Sequence, residues 1–176
     1  MTNERPSQPQ ERMQSLVDIG DPPLHIALVE PEIPPNTGNV ARLCAATGCA
    51  LHLVEPLGFR IDDRELKRAG LDYWHALGVV MHPSLDVFLE RTAHLRRWFF
   101  STHATRTYAN ADFERGDMLV FGRETQGLPK ALIAQYADRA LRIPMREHGV
   151  RSINLSTAVG IATYGALATI GFPGLS

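Results

Sequence analysis

The chain has 176 residues, of which 44% are hydrophobic and 21% charged, a length and balance typical of one globular domain with a buried core. Its 18 lysines and arginines are opposed by 19 aspartates and glutamates, so the formal net charge is -1. This balance excludes a protein that binds nucleic acid through a strongly basic surface on every side.

Arginine dominates the basic residues, because only Lys67 and Lys130 are lysines. Codon bias of a GC-rich genome explains such a skew without any function. Alternatively, some guanidinium groups are placed to bind phosphate or carboxylate in a planar, bidentate way. Composition leaves both explanations open, so the position of each arginine matters more than their number.

Cys44 and Cys49 are the two cysteines, too few for a disulfide scaffold and without zinc-type spacing. We expect two small, partly buried thiols in a reducing compartment rather than a redox site. No histidine pair has the i,i+4 spacing of a helical metal site, so we expect no metal. No apolar run reaches the roughly 20 residues that span a membrane, and the N-terminus lacks a signal-peptide core. These features predict a cytoplasmic protein.

Residues 1–22 combine prolines, glutamine and serine with little apolar periodicity, which predicts a disordered N-terminal tail. The tail carries four acidic and two basic residues, a net charge of -2. The remaining 16 basic and 15 acidic residues leave the predicted domain, residues 23–176, near +1.

In the domain, short apolar runs alternate with helical patterns. The predicted strands cover residues 24–29, 50–54, 79–81, 97–101, 118–121 and 141–143. The predicted helices cover residues 39–47, 62–69, 84–91, 129–136 and 157–170. Such alternation predicts an α/β fold with a mostly parallel sheet covered by helices on both faces.

Three segments rich in Gly, Asn, Ser and Arg follow predicted strands, where ligands bind in open α/β sheets. The first covers residues 34–42, in which Asn36 or Asn39 is expected to cap a helix and Gly38 to allow a tight turn. Arg42 lies three residues after Asn39, so both side chains project from one side of the helix. A capped helix with a solvated arginine is the simpler alternative.

The second segment covers residues 121–128, where Gly122 and Gly127 flank polar side chains. Glycines allow a ligand to approach the backbone closely, although neither a Walker loop nor a dinucleotide fingerprint is present. The third segment covers residues 143–156, with Ser152 and Asn154 in a loop and Ser156 or Thr157 as the expected helix cap. A glycine-containing turn and an ordinary capped loop are the alternatives.

Together the three segments resemble the motifs of the SPOUT family of RNA 2′-O-ribose methyltransferases. Within that family, residues 30–39, 68–73 and 171–174 resemble the minimal TrmL type. The order and spacing agree over Asn36-x-Gly38-Asn39-x-x-Arg42, Phe121-Gly122-x-Glu124-x-x-Gly127-Leu128, Ile143-Pro144-Met145 and Ser152-x-Asn154-Leu155-Ser156. The resemblance implies a C-terminal trefoil knot and a tRNA substrate. It also implies 2′-O-methylation of the wobble nucleotide, cytidine or uridine 34, in leucine tRNAs.

The resemblance further implies S-adenosyl-L-methionine as the methyl donor, bound by residues at matching positions. These are Ser101, Thr102, Gly122, Ile143, Met145, Ser152 and Leu155. Arg42 matches the family's catalytic arginine, and Asn36, Glu124 and Asn154 are our candidates for orienting Arg42 and the substrate. Because arginine stays protonated at ordinary pH, we expect Arg42 to stabilise a developing alkoxide rather than to act as a base.

The last helix contains small residues, which together with the resemblance predict a homodimer through that helix. The resemblance leaves open another tRNA or ribosomal RNA ribose as the target. A non-catalytic RNA-binding or assembly factor on the same fold is a further alternative, and an unrelated nucleotide-binding enzyme is remote because phosphate-loop signatures are missing.

Overall fold

The computed structural model describes residues 20–60 and 77–176. The predicted tail over residues 1–22 falls outside this description up to residue 19, and the predicted helix over residues 62–69 falls outside it entirely. Both remain predictions.

A seven-stranded sheet forms the centre of the domain, in the order β3-β2-β1-β6-β4-β7-β5. Every pair of neighbouring strands is parallel, as the alternation of strands and helices predicts. The strands are β1 (His25–Val29), β2 (Ala50–Val54), β3 (Val80–His82), β4 (Arg97–Phe100), β5 (Arg106–Thr107), β6 (Met118–Phe121) and β7 (Ala140–Arg142).

Helices cover both faces of the sheet, which confirms the α/β prediction. They are α1 (Pro34–Thr47), α2 (Leu85–Arg91), α3 (Lys130–Gln135) and α4 (Leu155–Thr169), with short 3-10 turns at Tyr108–Asn110 and Ala137–Arg139. On the sheet, Ile26 and Leu28 of β1 join the core cluster beneath α1 and α4. Ala27 and Val29 point the other way, into the cluster beneath α2 and α3, because side chains alternate along a strand.

Strands β2 and β6 match the prediction residue for residue, α2 and α3 start one residue later than predicted, and α1 and α4 start earlier. Helix α1 begins at Pro34, not at residue 39, because two prolines without N–H groups suit the first turn of a helix. Its N-cap is Ile33 without a side-chain cap, so the predicted capping by Asn36 or Asn39 is wrong. Helix α4 is capped by Asn154, whose side chain accepts a bond from Thr157 N, not by Ser156 or Thr157.

Strand β5 is absent from the prediction. It has two residues, too few for any periodicity, and exists because β7 supplies hydrogen-bond partners along its edge.

Cys44 and Cys49 are unbridged and more completely buried than the partly buried thiols predicted. Burial raises the pKa of the Cys44 thiol well above its ordinary value, and the neighbouring Cys49 raises it further. Both cysteines belong to the core cluster beneath α1 and α4.

Three buried histidines form a hydrogen-bonded row across β1, β2 and β3. His25 Nδ1 lies 3.0 Å from His52 Nε2, and His52 Nδ1 lies 3.0 Å from His82 Nε2. Burial is the main cause of a lowered pKa at all three, to about 3 for His52 and about 4 for His82. The row is therefore neutral at neutral pH.

In the described parts of the chain, no helix has the length and apolar character needed to cross a bilayer.

Candidate active site

The order of the strands places the ends of β1, β6, β4 and β7 side by side. All four run parallel, so their carboxyl ends share one edge of the sheet. The three segments singled out in the sequence follow β1, β6 and β7. The fold therefore brings segments about 90 to 120 residues apart to the same edge.

Glu124, from the second segment, accepts hydrogen bonds from Asn36 of the first segment and from the two residues just before that segment. Its Oε2 accepts from Glu32 N at 2.7 Å. Its Oε1 accepts from Ile33 N at 3.2 Å and from Asn36 Nδ2 at 3.0 Å. The carboxylate thus satisfies N–H groups at the start of α1 and holds the amide of Asn36 in place.

Glu32 makes the converse contact, because its carboxylate binds the second segment. Its carboxylate accepts from Thr125 N at 3.1 Å and from Thr125 Oγ1 at 2.8 Å. Arg123 also forms an ion pair with Glu30, the residue that follows β1. We call the bonds of Glu124, Glu32 and Arg123 across these two loops the carboxylate clasp.

Asn154, from the third segment, completes a chain of hydrogen bonds from Glu124 through Asn36. Asn154 Nδ2 donates to Asn36 Oδ1 at 2.9 Å. Asn154 Oδ1 accepts from Ser156 Oγ at 2.7 Å and from Thr157 N at 3.2 Å. An ionised carboxylate only accepts and a backbone N–H only donates, so the two ends of the chain fix the orientation of both amides.

Three of the four predicted catalytic residues are therefore joined by hydrogen bonds, with Asn36 between Glu124 and Asn154. The fourth, Arg42, lies on α1 and is exposed. Within residues 20–60 and 77–176, its guanidinium has no hydrogen-bond or ion-pair partner. Asn36, Glu124 and Asn154 bond to one another and to neighbouring residues instead, so the predicted orientation of Arg42 by these side chains is not seen.

Among the predicted cofactor residues, Ser101, Gly122 and Ile143 directly follow three adjacent strands, β4, β6 and β7. Ile143 and Leu155 are half-buried and pack on the core cluster beneath α1 and α4. Met145 is also half-buried, whereas Thr102 and Ser152 are exposed. Half-buried apolar side chains beside hydroxyl groups fit an adenosine, whose base is apolar on its faces and whose ribose is polar.

The two glycines of the second segment have different physical requirements. At Gly122, a Cβ would overlap the backbone of Gly127 and Leu128, because the loop folds back on itself there. Gly127 has a φ of +67° with open space around it, a conformation that L side chains rarely adopt. Gly38, by contrast, is an ordinary buried residue within α1, so the predicted tight turn is wrong.

The clasp residues Glu32 and Thr125 are absent from the sequence prediction. Their only signal in the sequence is that Glu30-Pro31-Glu32 and Arg123-Glu124-Thr125 each follow an apolar strand. Pairing them requires knowing that β1 and β6 are neighbours, which local periodicity does not reveal. The described residues contain no group of His, Cys, Asp or Glu that could hold a metal ion.

Comparison with known proteins agrees with this geometry. The profile of the SpoU rRNA Methylase family matches residues 23–164. The tRNA (cytidine(34)-2'-O)-methyltransferase of Saccharophagus degradans is 49% identical over 151 residues, which cover 85% of this chain and 97% of that protein.

Two solved structures are also similar to this chain. A structure described as "Structural insights into the 2-OH methylation of C/U34 on tRNA" is similar with a TM-score of 0.79 and 45% identity, over 85% of this chain and 97% of that one. An AdoMet-bound rRNA methyltransferase from Sinorhizobium meliloti shares the fold, with a TM-score of 0.76 at 22% identity, over 86% of this chain and 58% of that one.

Proposed function

Because the chain belongs to the SpoU rRNA Methylase family, we propose that it methylates the ribose 2′-oxygen of nucleotide 34 in tRNA, with S-adenosylmethionine as methyl donor. The observation that carries the proposal is the chain of bonds from Glu124 through Asn36 to Asn154. It joins all three motifs at the edge of the sheet where ligands bind. Two relatives that match this chain over nearly their full length are named for this reaction.

S-adenosylmethionine, when bound, supplies an electrophilic methyl group on a sulfonium. The residues that would hold it follow the ends of β4, β6 and β7 and reach the start of α4: Ser101, Thr102, Gly122, Ile143, Met145, Ser152 and Leu155. The protein's task is then to position the ribose hydroxyl in line with that methyl group and to favour loss of its proton.

Arg42 performs the electrostatic part of this task. Its guanidinium, free of protein partners in the described residues, stabilises negative charge on the 2′-oxygen and contacts the adjacent phosphate. Asn154 has a second Nδ2–H that is not used by Asn36, and its exposed side chain presents that donor to the ribose. Glu124 acts indirectly, because it holds the side-chain amide of Asn36 in place.

We infer leucine tRNAs as substrates from the family resemblance, together with a C-terminal trefoil knot and action in the cytoplasm.

We also infer a homodimer through α4. Ala162 and Ala166 are buried within the protomer, and a Cβ at Gly165 would overlap the ring of Tyr108, so these small residues serve internal packing. The exposed stripe of Ile161, Tyr164 and Phe172 is the surface that a second copy would cover.

The test is incubation with labelled S-adenosylmethionine and unmodified tRNA, followed by mass spectrometry of nuclease fragments. We expect one methyl group on the ribose of nucleotide 34 in leucine tRNAs. Methylation of a different ribose in tRNA or ribosomal RNA would contradict nucleotide 34 as the target. Binding of RNA without binding of S-adenosylmethionine would indicate a non-catalytic RNA-binding factor and contradict the proposal.

A further inference from the structure

A cavity of about 440 Å³ lies beside the carboxylate clasp, between the end of β1 and the loop that joins β6 to α3. Its lining includes Val29 and Leu128, which belong to the core cluster beneath α2 and α3. The predicted cofactor residues Ile143 and Leu155 pack on the other cluster, beneath α1 and α4. The cavity is therefore separate from the predicted cofactor site, although both adjoin the same loop.

Three interactions tie down the loop that lines the cavity. Arg123 pairs with Glu30, and Gly127 N donates to Arg123 O at 2.9 Å. Thr125 is bound to Glu32 at the back of the loop. Such a loop presents its remaining side chains without further ordering, which lowers the entropic cost of binding.

Two polar side chains of the lining remain unused. Residues 123–126 carry four polar side chains, of which three bond back to the segment over residues 30–36. The fourth, Gln126, is exposed and lines the cavity. Lys130, at the start of α3, is also exposed in the lining. Neither has a side-chain partner among the residues that the structure describes.

These groups together define the chemistry of a ligand. The charges of Glu30 and Arg123 offset each other, so Lys130 leaves one net positive charge, which suits a phosphate. The amide of Gln126 donates and accepts hydrogen bonds, as recognition of a base edge requires. Leu128 and Pro129 offer an apolar surface for the face of a base.

We propose that this cavity binds a nucleotide of the substrate RNA that flanks the methylated one, with its phosphate on Lys130 and its base edge on Gln126. The volume lies within the range of small-ligand sites. The inference rests on the proposed function, because it takes the substrate to be an RNA whose target ribose lies on the other side of the Gly122–Leu128 loop.

The test is RNA binding by the full chain, measured by filter binding with an unmodified leucine tRNA transcript at several salt concentrations. We expect Gln126→Ala to weaken binding at least about fivefold. We expect Lys130→Gln to lower the slope of log affinity against log salt by about 1, while Lys130→Arg restores it. Both effects are expected in the KM for RNA more than in kcat.

Arg115→Gln is the matched control, because Arg115 is an exposed arginine at the amino end of β6, paired with Asp21 at 3.2 Å. Its affinity for RNA is expected to equal that of the wild type. Unchanged affinity and salt slope in both Gln126→Ala and Lys130→Gln would overturn the inference. Because binding is measured without methyl transfer, a wild type that binds but does not methylate would instead contradict the proposed function.

Discussion

Asn154 Nδ2 donates a 2.9 Å hydrogen bond to Asn36 Oδ1 across 118 residues of sequence. The same Asn154 caps α4 through its Oδ1, and the same Asn36 donates to Glu124. One side chain thus joins the start of a helix to the candidate active site. Its two functions use different atoms, so they are separable by substitution.

Asn154→Ser is expected to retain the cap, because serine is as good an N-cap as asparagine, but to remove the donor to Asn36. We expect a melting temperature close to that of the wild type and methyl transfer slowed by about tenfold to 100-fold. Asn154→Ala is expected to lose the cap as well, at a cost of about 1 kcal/mol in the free energy of unfolding. Wild-type kinetics in Asn154→Ser would contradict a role for the amide.

Arg42→Ala is expected to lower the rate of methyl transfer at least about 100-fold, because the proposed positive charge beside the developing oxyanion is removed. Affinity for S-adenosylmethionine, measured by calorimetry, is expected to stay the same. Arg91, exposed on α2, provides the control, and Arg91→Ala should methylate normally. If Arg42→Ala turned over like the wild type, Arg42 would not be catalytic.

Thr125→Val tests the carboxylate clasp. Thr125 is exposed and its hydroxyl donates to Glu32 at 2.8 Å, so the variant keeps the volume and loses the bond. We expect less than about 1 kcal/mol of lost stability but a measurable fall in kcat, because the loop that carries Glu124 is less firmly held. Thr125→Ser should restore kcat; a fall in melting temperature with unchanged kcat would show that the clasp only stabilises the fold.

Gly122→Ala and Gly127→Ala form a second matched pair. Gly127→Ala is expected to cost about 1 kcal/mol in the free energy of unfolding, the strain of an L residue at φ +67°. Gly122→Ala should cost more, because its Cβ requires the backbone of Gly127 and Leu128 to move. Urea unfolding of both variants measures the difference, and equal losses would contradict the close approach at Gly122.

Acid is expected to destabilise the protein through the histidine row. The pKa values of His52 and His82 in the fold, about 3 and about 4, lie below the ordinary 6.5. Below pH 6.5 the unfolded chain therefore binds more protons at these histidines than the folded chain does. Their contribution to the free energy of unfolding is complete above pH 6.5 and decreases as the pH falls below it. Near these groups, Arg91 lowers the pKa of His82, and His94 lowers that of His25 while Asp21 raises it.

Urea unfolding between about pH 7.5 and about pH 5 measures this effect, and imidazole nitrogen shifts report the protonation state directly. His148→Gln, at an exposed site, serves as the control and should leave the pH dependence unchanged. Protonated imidazoles at His52 and His82 near pH 5.5 in the folded protein would contradict the prediction.

Local sequence determines the elements of this protein. Apolar runs such as residues 118–121 form strands because burying such side chains is favourable wherever the strand lies in the sheet. Arg42, Gly122, Glu124 and Asn154 are selected from the amino-acid sequence only as parts of spaced motifs, because glycine and amide groups after strands also occur in ordinary turns and helix caps. The resemblance to a family rests on those same residues.

Tertiary structure decides which of these residues meet. That β6 lies between β1 and β4 is set by packing over the whole sheet, and only this neighbourhood brings Glu32 against Thr125. The local chemistry of Asn36 predicts a helix cap, yet its side chain is held by Glu124 and Asn154. A hydrogen bond between residues far apart in sequence leaves no local pattern, since its geometry exists only once the strands between them are in place.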